Sequence, residues 1–148
     1  MKKTIIITLI ILLSLGIIGG GVGYYFFSKA PKDFATSDAD YKMTAKELFD
    51  SMVQASKNNK TPEFISADKT VQINGKIKEI VKNEDGTFLF SIEPGSTEGS
   101  VSCTLAKSES ETAQKYKIGQ NVTLKGQVTG LQDLIETEVI MIGCGLVD

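Results

Sequence analysis

The sequence contains no histidine, no tryptophan and no arginine, and only two cysteines and three prolines. Each absence removes a class of chemistry. Without histidine, no side chain titrates at its ordinary value near neutral pH, which excludes Ser-His and Cys-His nucleophilic mechanisms. All 16 basic residues are lysine. The planar fork that grips phosphate or guanine in two places is therefore missing, and lysine offers only a mobile point charge. Two thiols with no histidine fall short of a zinc shell, so neither a metal nor a cofactor is expected. The alternating carboxylates Glu136 and Glu138 read as a solvent-facing edge, and Gly19-Gly20-Gly21 lies in an apolar run and is no phosphate loop. No catalytic residue can be assigned. The chain reads as a non-enzyme.

What is present begins with lipid chemistry. Lys2 and Lys3 precede an uncharged run from Thr4 to Phe27. As a helix it would extend about 36 Å, enough for a hydrocarbon layer of about 30 Å. Tyr24, Tyr25, Phe26 and Phe27 close it as an interfacial aromatic belt would. The rival is a cleaved secretory signal, but signal cores are shorter, and Pro31 directly after Ser28-Lys29-Ala30 hinders cleavage there. Residues 1–27 are thus expected to be a single-pass membrane anchor. Lysines before the run and Asp33, Asp38 and Asp40 after it favour an extracytoplasmic C-terminal domain. Gly16 and Gly20 make a GxxxG spacing, a candidate surface for homo-oligomerisation; glycine is also simply common in membrane helices. Three of the 16 lysines, Lys2, Lys3 and Lys29, fall before residue 31, so the remainder carries 13 basic against 18 acidic side chains. An acidic, arginine-free domain is a poor start for nucleic-acid binding.

Residues 28–42 are small, polar and unpatterned, and read as a linker that keeps residues 43–148 near the membrane. Thr44 and Glu47 form a capping box, and Ala45, Leu48, Phe49, Met52 and Val53 recur at helical spacing until Asn58, Asn59 and Pro62. From Thr70 the period changes to two. Strands are expected at Val71–Ile77, Thr87–Glu93, Ser100–Leu105, Gln120–Thr129 and Thr137–Val147. The Asp85-Gly86 turn joins the first two, and Ser108–Tyr116 holds a short helix between the third and fourth. Val71-x-Ile73-x-Gly75-x-Ile77 is echoed by Val122-x-Leu124-x-Gly126-x-Val128. A mid-strand glycine marks a bulge or a tight bend, which small barrels need in order to curl. The expected class is mainly β: a five-stranded OB-fold barrel preceded by an amphipathic α-helix, with an N-terminal transmembrane helix.

Five pieces together resemble the tRNA_anti-like family of bacterial OB-fold proteins. They are Tyr41-x-Met43-Thr44-Ala45-x-x-Leu48, the Val71–Ile77 template, Val101-x-Cys103, Ile118-Gly119-Gln120-x-Val122-x-Leu124-x-Gly126, and Ile142-Gly143-Cys144. The resemblance covers roughly residues 41–147. It implies an OB-fold, membrane attachment of the lipoprotein kind that many members have, and no catalytic residues. Here a membrane helix stands where relatives would carry a lipidated cysteine.

Cys103 and Cys144 are a candidate disulfide, since distant barrel strands can come together and an outward domain meets an oxidising compartment; two buried free thiols are the alternative. Lys76, Lys78 and Lys125, on presumed outward faces, are a candidate basic patch for a ligand or simply a solubilising surface. Phe88 and Phe90 share a face with Ile92, and are expected in the core instead of on a base-stacking platform. The reading that best joins these features is a membrane-anchored extracytoplasmic binding module for a protein or envelope-polymer partner. One alternative is an assembly protein associating through its membrane helix. Another is single-stranded nucleic-acid binding, which the composition disfavours.

Overall fold

The computed structural model describes Tyr24, residues 32–95 and residues 98–147. The expected anchor over residues 1–27, including Gly16 and Gly20, lies outside the described residues apart from Tyr24. Among the described residues, no helix is long and apolar enough to cross a membrane.

The domain is built from β1 (Tyr41–Thr44), α1 (Ala45–Lys57), β2 (Val71–Lys82), β3 (Phe88–Glu93), β4 (Ser100–Leu105), a 3-10 turn (Lys107–Glu109) continuing into α2 (Ser110–Ala113), β5 (Asn121–Asp133) and β6 (Thr137–Val147). β2 pairs antiparallel with β3 and β3 with β4; β4 pairs parallel with β6, and β6 antiparallel with β5. β5 then returns to β2 over Val71–Lys76 and closes a five-stranded barrel. This is the strand order of an OB-fold, with the short helix between its third and fourth strands. Inward rows run round the barrel in register. Ile77, Ile92, Val101 and Val139 form one; Phe90, Cys103, Met141 and Val128 form the next. All eight are fully buried or within 1% of it.

Helix α1 forms where the capping box placed it. The Thr44 hydroxyl accepts the Glu47 N–H at 3.1 Å, and Glu47 Oε2 accepts the Thr44 N–H at 2.7 Å. The Thr44 N–H and the Thr44 hydroxyl, both donating to Glu47 Oε2, hold the Glu47 carboxyl below the usual glutamate range. Ala45, Leu48, Phe49 and Met52 are the buried stripe, which packs against all five barrel strands. The segment from Ala106 to Gln120 covers the barrel elsewhere: Ala113 is buried, and Tyr116 meets Phe90 edge-on at 5.9 Å.

Two differences from the sequence reading concern boundaries. Tyr41 and Lys42, assigned to the linker, begin β1, which lies parallel to β2 with Tyr41 opposite Val71. Asp40 joins in by accepting the Thr70 N–H at 2.8 Å. Four residues are too few to display a period, and β1 depends on the edge of a strand thirty residues away for its hydrogen bonds. The strands β2 and β5 also run on to Lys82 and Asp133, beyond the last residues of their repeating templates.

The echoed glycines sit where backbones crowd. A Cβ on Gly75 would lie 2.4 Å from Ile92 Cγ2, and one on Gly126 would lie 2.6 Å from Cys144 Sγ and 2.9 Å from the Ile142 carbonyl. Gly126 also falls at a register shift between β5 and β6. Overpacking of this kind costs about 1–3 kcal/mol or more. Gly126→Val should therefore lower the stability of the chain by at least that amount in chemical denaturation followed by circular dichroism. Gly130→Ala, where nothing lies within 4 Å of the added methyl, should be close to neutral. Thr44→Ala should cost about 1 kcal/mol through loss of the cap. Glu47 has a lowered pKa when folded, so its contribution is complete above the ordinary glutamate pKa and is lost as pH falls through the lowered one.

Candidate ligand groove

The groove originates in an irregularity of β2. Ile77 stands opposite Ile92 and Glu79 opposite Ser91, which leaves Lys78 as an extra residue. A bulge of this kind re-aims side chains, and here Lys78 and Glu79 are both exposed. The Lys78 ammonium reaches Glu136 Oε2 at 3.3 Å and the Gly99 carbonyl at 3.5 Å. Glu136 lies in the tip, residues 134–136, of the β5–β6 hairpin. Because the β2–β5 pairing stops at Val71 and Gly126, the stretch Gln127–Asp133 pairs with β6 alone. The hairpin therefore forms one wall, and the bulged part of β2 forms the other. The ion pair across them is solvent-exposed on both sides; it positions the tip and adds under about 1 kcal/mol.

The floor is made of serines. Phe90 and Ile92 face inward, so Ser91 faces out; Val101 and Cys103 face inward, so Ser100 and Ser102 face out. Yet Ser91, Ser100 and Ser102 are only 6%, 7% and 3% exposed. Ser102 donates its hydroxyl hydrogen bond to Glu138 Oε1 on the neighbouring β6. Ser91 and Ser100 line the groove; no hydrogen bond of either hydroxyl is found among the described residues, and neither is sealed from solvent as the Thr70 and Ser110 hydroxyls are. Glu79 and Glu138 also line it, as do Gln132, Leu134 and Ile135. The last two are 80% and 99% exposed. The space enclosed is about 320 Å³, at the lower end of ligand clefts. Its ionised groups are one lysine and three glutamates, a net charge of −2.

The three lysines proposed from sequence are not brought together. Lys78 is held by Glu136. Lys125 stands opposite Gln72, whereas Lys76 stands opposite Asn121, four residues or about 13 Å further along the strand. Only Lys78 lines the groove. Phe88 and Phe90 are buried as expected, at 7% and 0% exposure, so neither is offered for stacking. Glu138, expected to face solvent, is half-buried by its bond to Ser102. The groove residues missed in the sequence left three signals. Two consecutive polar residues, Lys78 and Glu79, interrupt an alternating strand. Serines alternate with apolar residues on two successive strands. Leucine and isoleucine sit in a turn.

Cys103 and Cys144, on the paired strands β4 and β6, are both free and buried in the structure. The Cys103 thiol lies 3.7 Å from Met141 Sδ. The neighbouring Cys103 thiol, together with burial, pushes the Cys144 thiol well above its ordinary range. A thiol so placed is neither nucleophilic nor a ready metal ligand. Among the described residues, no group of three or more His, Cys, Asp or Glu side chains could hold a metal.

A closed five-stranded barrel with a groove on its second and third strands and at the loop between its fourth and fifth defines an OB-fold binding module, and this is the face on which such barrels take ligands. The chain belongs to the tRNA_anti-like family, which it matches over residues 1–141. No curated protein matches it. Among solved structures it is similar to a lipoprotein of Klebsiella pneumoniae named for nucleic-acid binding, with 17% identity, 72% of this chain and 92% of that chain covered, and a TM-score of 0.48. It is also similar to a chain of the Schizosaccharomyces pombe Stn1–Ten1 complex, with 20% identity, coverage of 53% and 57%, and a TM-score of 0.38. A third is the asparaginyl-tRNA synthetase of Pyrococcus horikoshii, with 19% identity, coverage of 54% and 19%, and a TM-score of 0.39. The chain thus spans little more than half of the Stn1–Ten1 chain and a fifth of the synthetase, matching each through one barrel.

The burial of both thiols gives a direct check. In the folded chain kept under reductant, neither Cys103 nor Cys144 should react with a small maleimide over the time in which a denatured control labels fully. Fast labelling of either thiol in the native state would contradict their place in the core.

Proposed function

We propose that the chain is a membrane-anchored, extracytoplasmic, non-catalytic binding module whose ligand lies in the groove between the β2 bulge and the β5–β6 hairpin. The single observation behind this is the lining. Two serine hydroxyls open to the groove and two exposed aliphatic side chains converge there with three carboxylates. Accessible polar groups converging in a depression can fix the orientation of a ligand. Large aliphatic side chains on a hairpin tip mark a contact surface. The absence of histidine from the whole chain, with both thiols buried, leaves this lining without an imidazole or an accessible thiol, which supports the non-catalytic reading.

The same lining weighs against single-stranded nucleic acid as the ligand. Modules that bind it combine a basic groove with aromatic platforms. Here the groove has a surplus of carboxylates and no ring, and the two phenylalanines of β3 are in the core. A protein or envelope polymer fits better.

Anchoring rests on the apolar Thr4–Phe27 run, and orientation on the lysines before it and the aspartates after it. An oxidising compartment outside the cytoplasm would permit a disulfide between Cys103 and Cys144.

Two measurements test this reading. The intact chain should remain with the membrane fraction through an alkaline carbonate wash and be released by detergent; release by carbonate alone would contradict the anchor. At about 50 mM salt, where phosphate contacts are strongest, the purified chain should leave single-stranded oligonucleotides unshifted in a gel. A shift there, reversed by neutralising Lys78, would establish the nucleic-acid reading in its place.

A further inference from the structure

The proposal that the groove is the binding site leaves the chemistry of its ligand open, and the groove's own residues narrow it. We infer that the occupant is an extended, lysine-bearing segment of a partner polypeptide, with an alkylammonium side chain seated between Glu79 and Glu138 and its aliphatic stem against Leu134 and Ile135. This inference rests on the groove being the ligand site and goes beyond it.

Three independent features point the same way. The first is charge. Of the three carboxylates, only Glu136 has a cation, Lys78 at 3.3 Å. Glu138 is bonded to a neutral hydroxyl, and Glu79 has no ion pair among the described residues. The net charge of −2 on the groove's lining favours a cation there over an anion.

The second feature is the floor. Ser91 and Ser100 are more than nine-tenths buried and line the groove, and among the described residues their hydroxyls, which are not sealed from solvent, have no hydrogen-bond partner. An ammonium group offers three donors and no acceptor. Carboxylate and hydroxyl oxygens can all accept from it, whereas a phosphate or carboxylate ligand would set its acceptors against the three glutamates. A guanidinium would also satisfy these oxygens. Small serine side chains on the floor leave depth for a compact head on a flexible stem, and an ammonium is the more compact of the two.

The third feature is the rim. Leu134 and Ile135 are the two most exposed large aliphatic side chains of the barrel, and they are flanked by Asp133 and Glu136. Lysine buries its methylenes on such surfaces while its charge stays in a polar setting. A free polyamine shares this alkylammonium chemistry. A polypeptide also carries backbone donors and acceptors, and the β5 edge over Gln127–Asp133, paired on one side by β6 alone, offers it a row of matching groups. Other depressions, one beside Asn74 and Asn121 and one beside Lys115 and Tyr116, have no such unpartnered buried hydroxyl on their lining.

The test uses the full chain in uncharged detergent micelles and fluorescence anisotropy with three labelled probes: a decapeptide alternating lysine and valine, its glutamate–valine counterpart, and a ten-nucleotide oligothymidylate. The lysine peptide should bind with at least tenfold higher affinity than either other probe, and more weakly as salt rises. Glu79→Gln should weaken it at least fivefold, and Ile135→Ser about threefold. Both positions are exposed, so circular dichroism should show these variants folded as the parent is. Equal weakening by Lys125→Gln, on another face, would overturn the placement. Binding of the glutamate peptide or oligothymidylate that is lost with Ile135→Ser would overturn the cation while leaving the groove as the site. Lysine-peptide binding that none of the groove variants alters would overturn the groove itself. Displacement of the peptide by an equimolar amount of spermidine would overturn the polypeptide in favour of a polyamine.

Discussion

Closure of the barrel between β2 and β5 is the constraint on which the rest of the structure depends. Each strand contributes one glycine to that closure, Gly75 and Gly126, and in each case the space a side chain would occupy is filled by a neighbour from the next strand. With the gap closed, no unpaired edge is left over Val71–Lys76, and the apolar rows of five strands meet in one interior. Helix α1 can then lay its buried stripe against the end of that interior, touching every strand. Sequence repetition and barrel geometry are thus one fact seen twice: the template recurs because the two strands that seal the barrel face the same steric problem.

The groove is a consequence of how that closure ends. β5 pairs with β2 as far as Gly126 and then continues along β6 alone, so the hairpin leaves the barrel wall. The bulge at Lys78 turns one extra polar residue outward on the facing strand. From these two irregularities come the walls, and an ion pair of modest strength sets their spacing. The serines below are small enough to leave depth between the walls. Affinity for a ligand is not stored in any one of these groups. On the proposed reading it would come from the open hydroxyls of the floor and from the surplus negative charge, both of which a cationic donor would meet.

Much of the fold could be read from the chain, and the reasons are local. A capping box, an Asp-Gly turn and strands of period two declare themselves within a few residues, and the five barrel strands were expected at their observed places within a few positions. What was missed depends on partners far away. β1 is strand only because β2 lies beside it, and the ends of β2 and β5 are set by pairing and not by composition. The candidate site was less legible still. Lysines on alternating strand positions looked like a patch, but register puts Lys76 and Lys125 opposite different residues, and Lys78 is taken up by Glu136. The groove is assembled from β2, β3, β4 and the β5–β6 hairpin, which no single stretch of sequence contains. Its carboxylates resembled ordinary surface charge until Ser102 and the floor beside it were placed.

The most direct measurement of the account is a position-specific photo-crosslinking experiment in the native membrane, with a photoreactive side chain introduced at Ile135 in one version of the intact chain and at Lys125 in another. The account predicts a discrete adduct from position 135, suppressed by Glu79→Lys on the same chain, and none of that size from position 125. An adduct from position 125 that persists while position 135 gives none would contradict it.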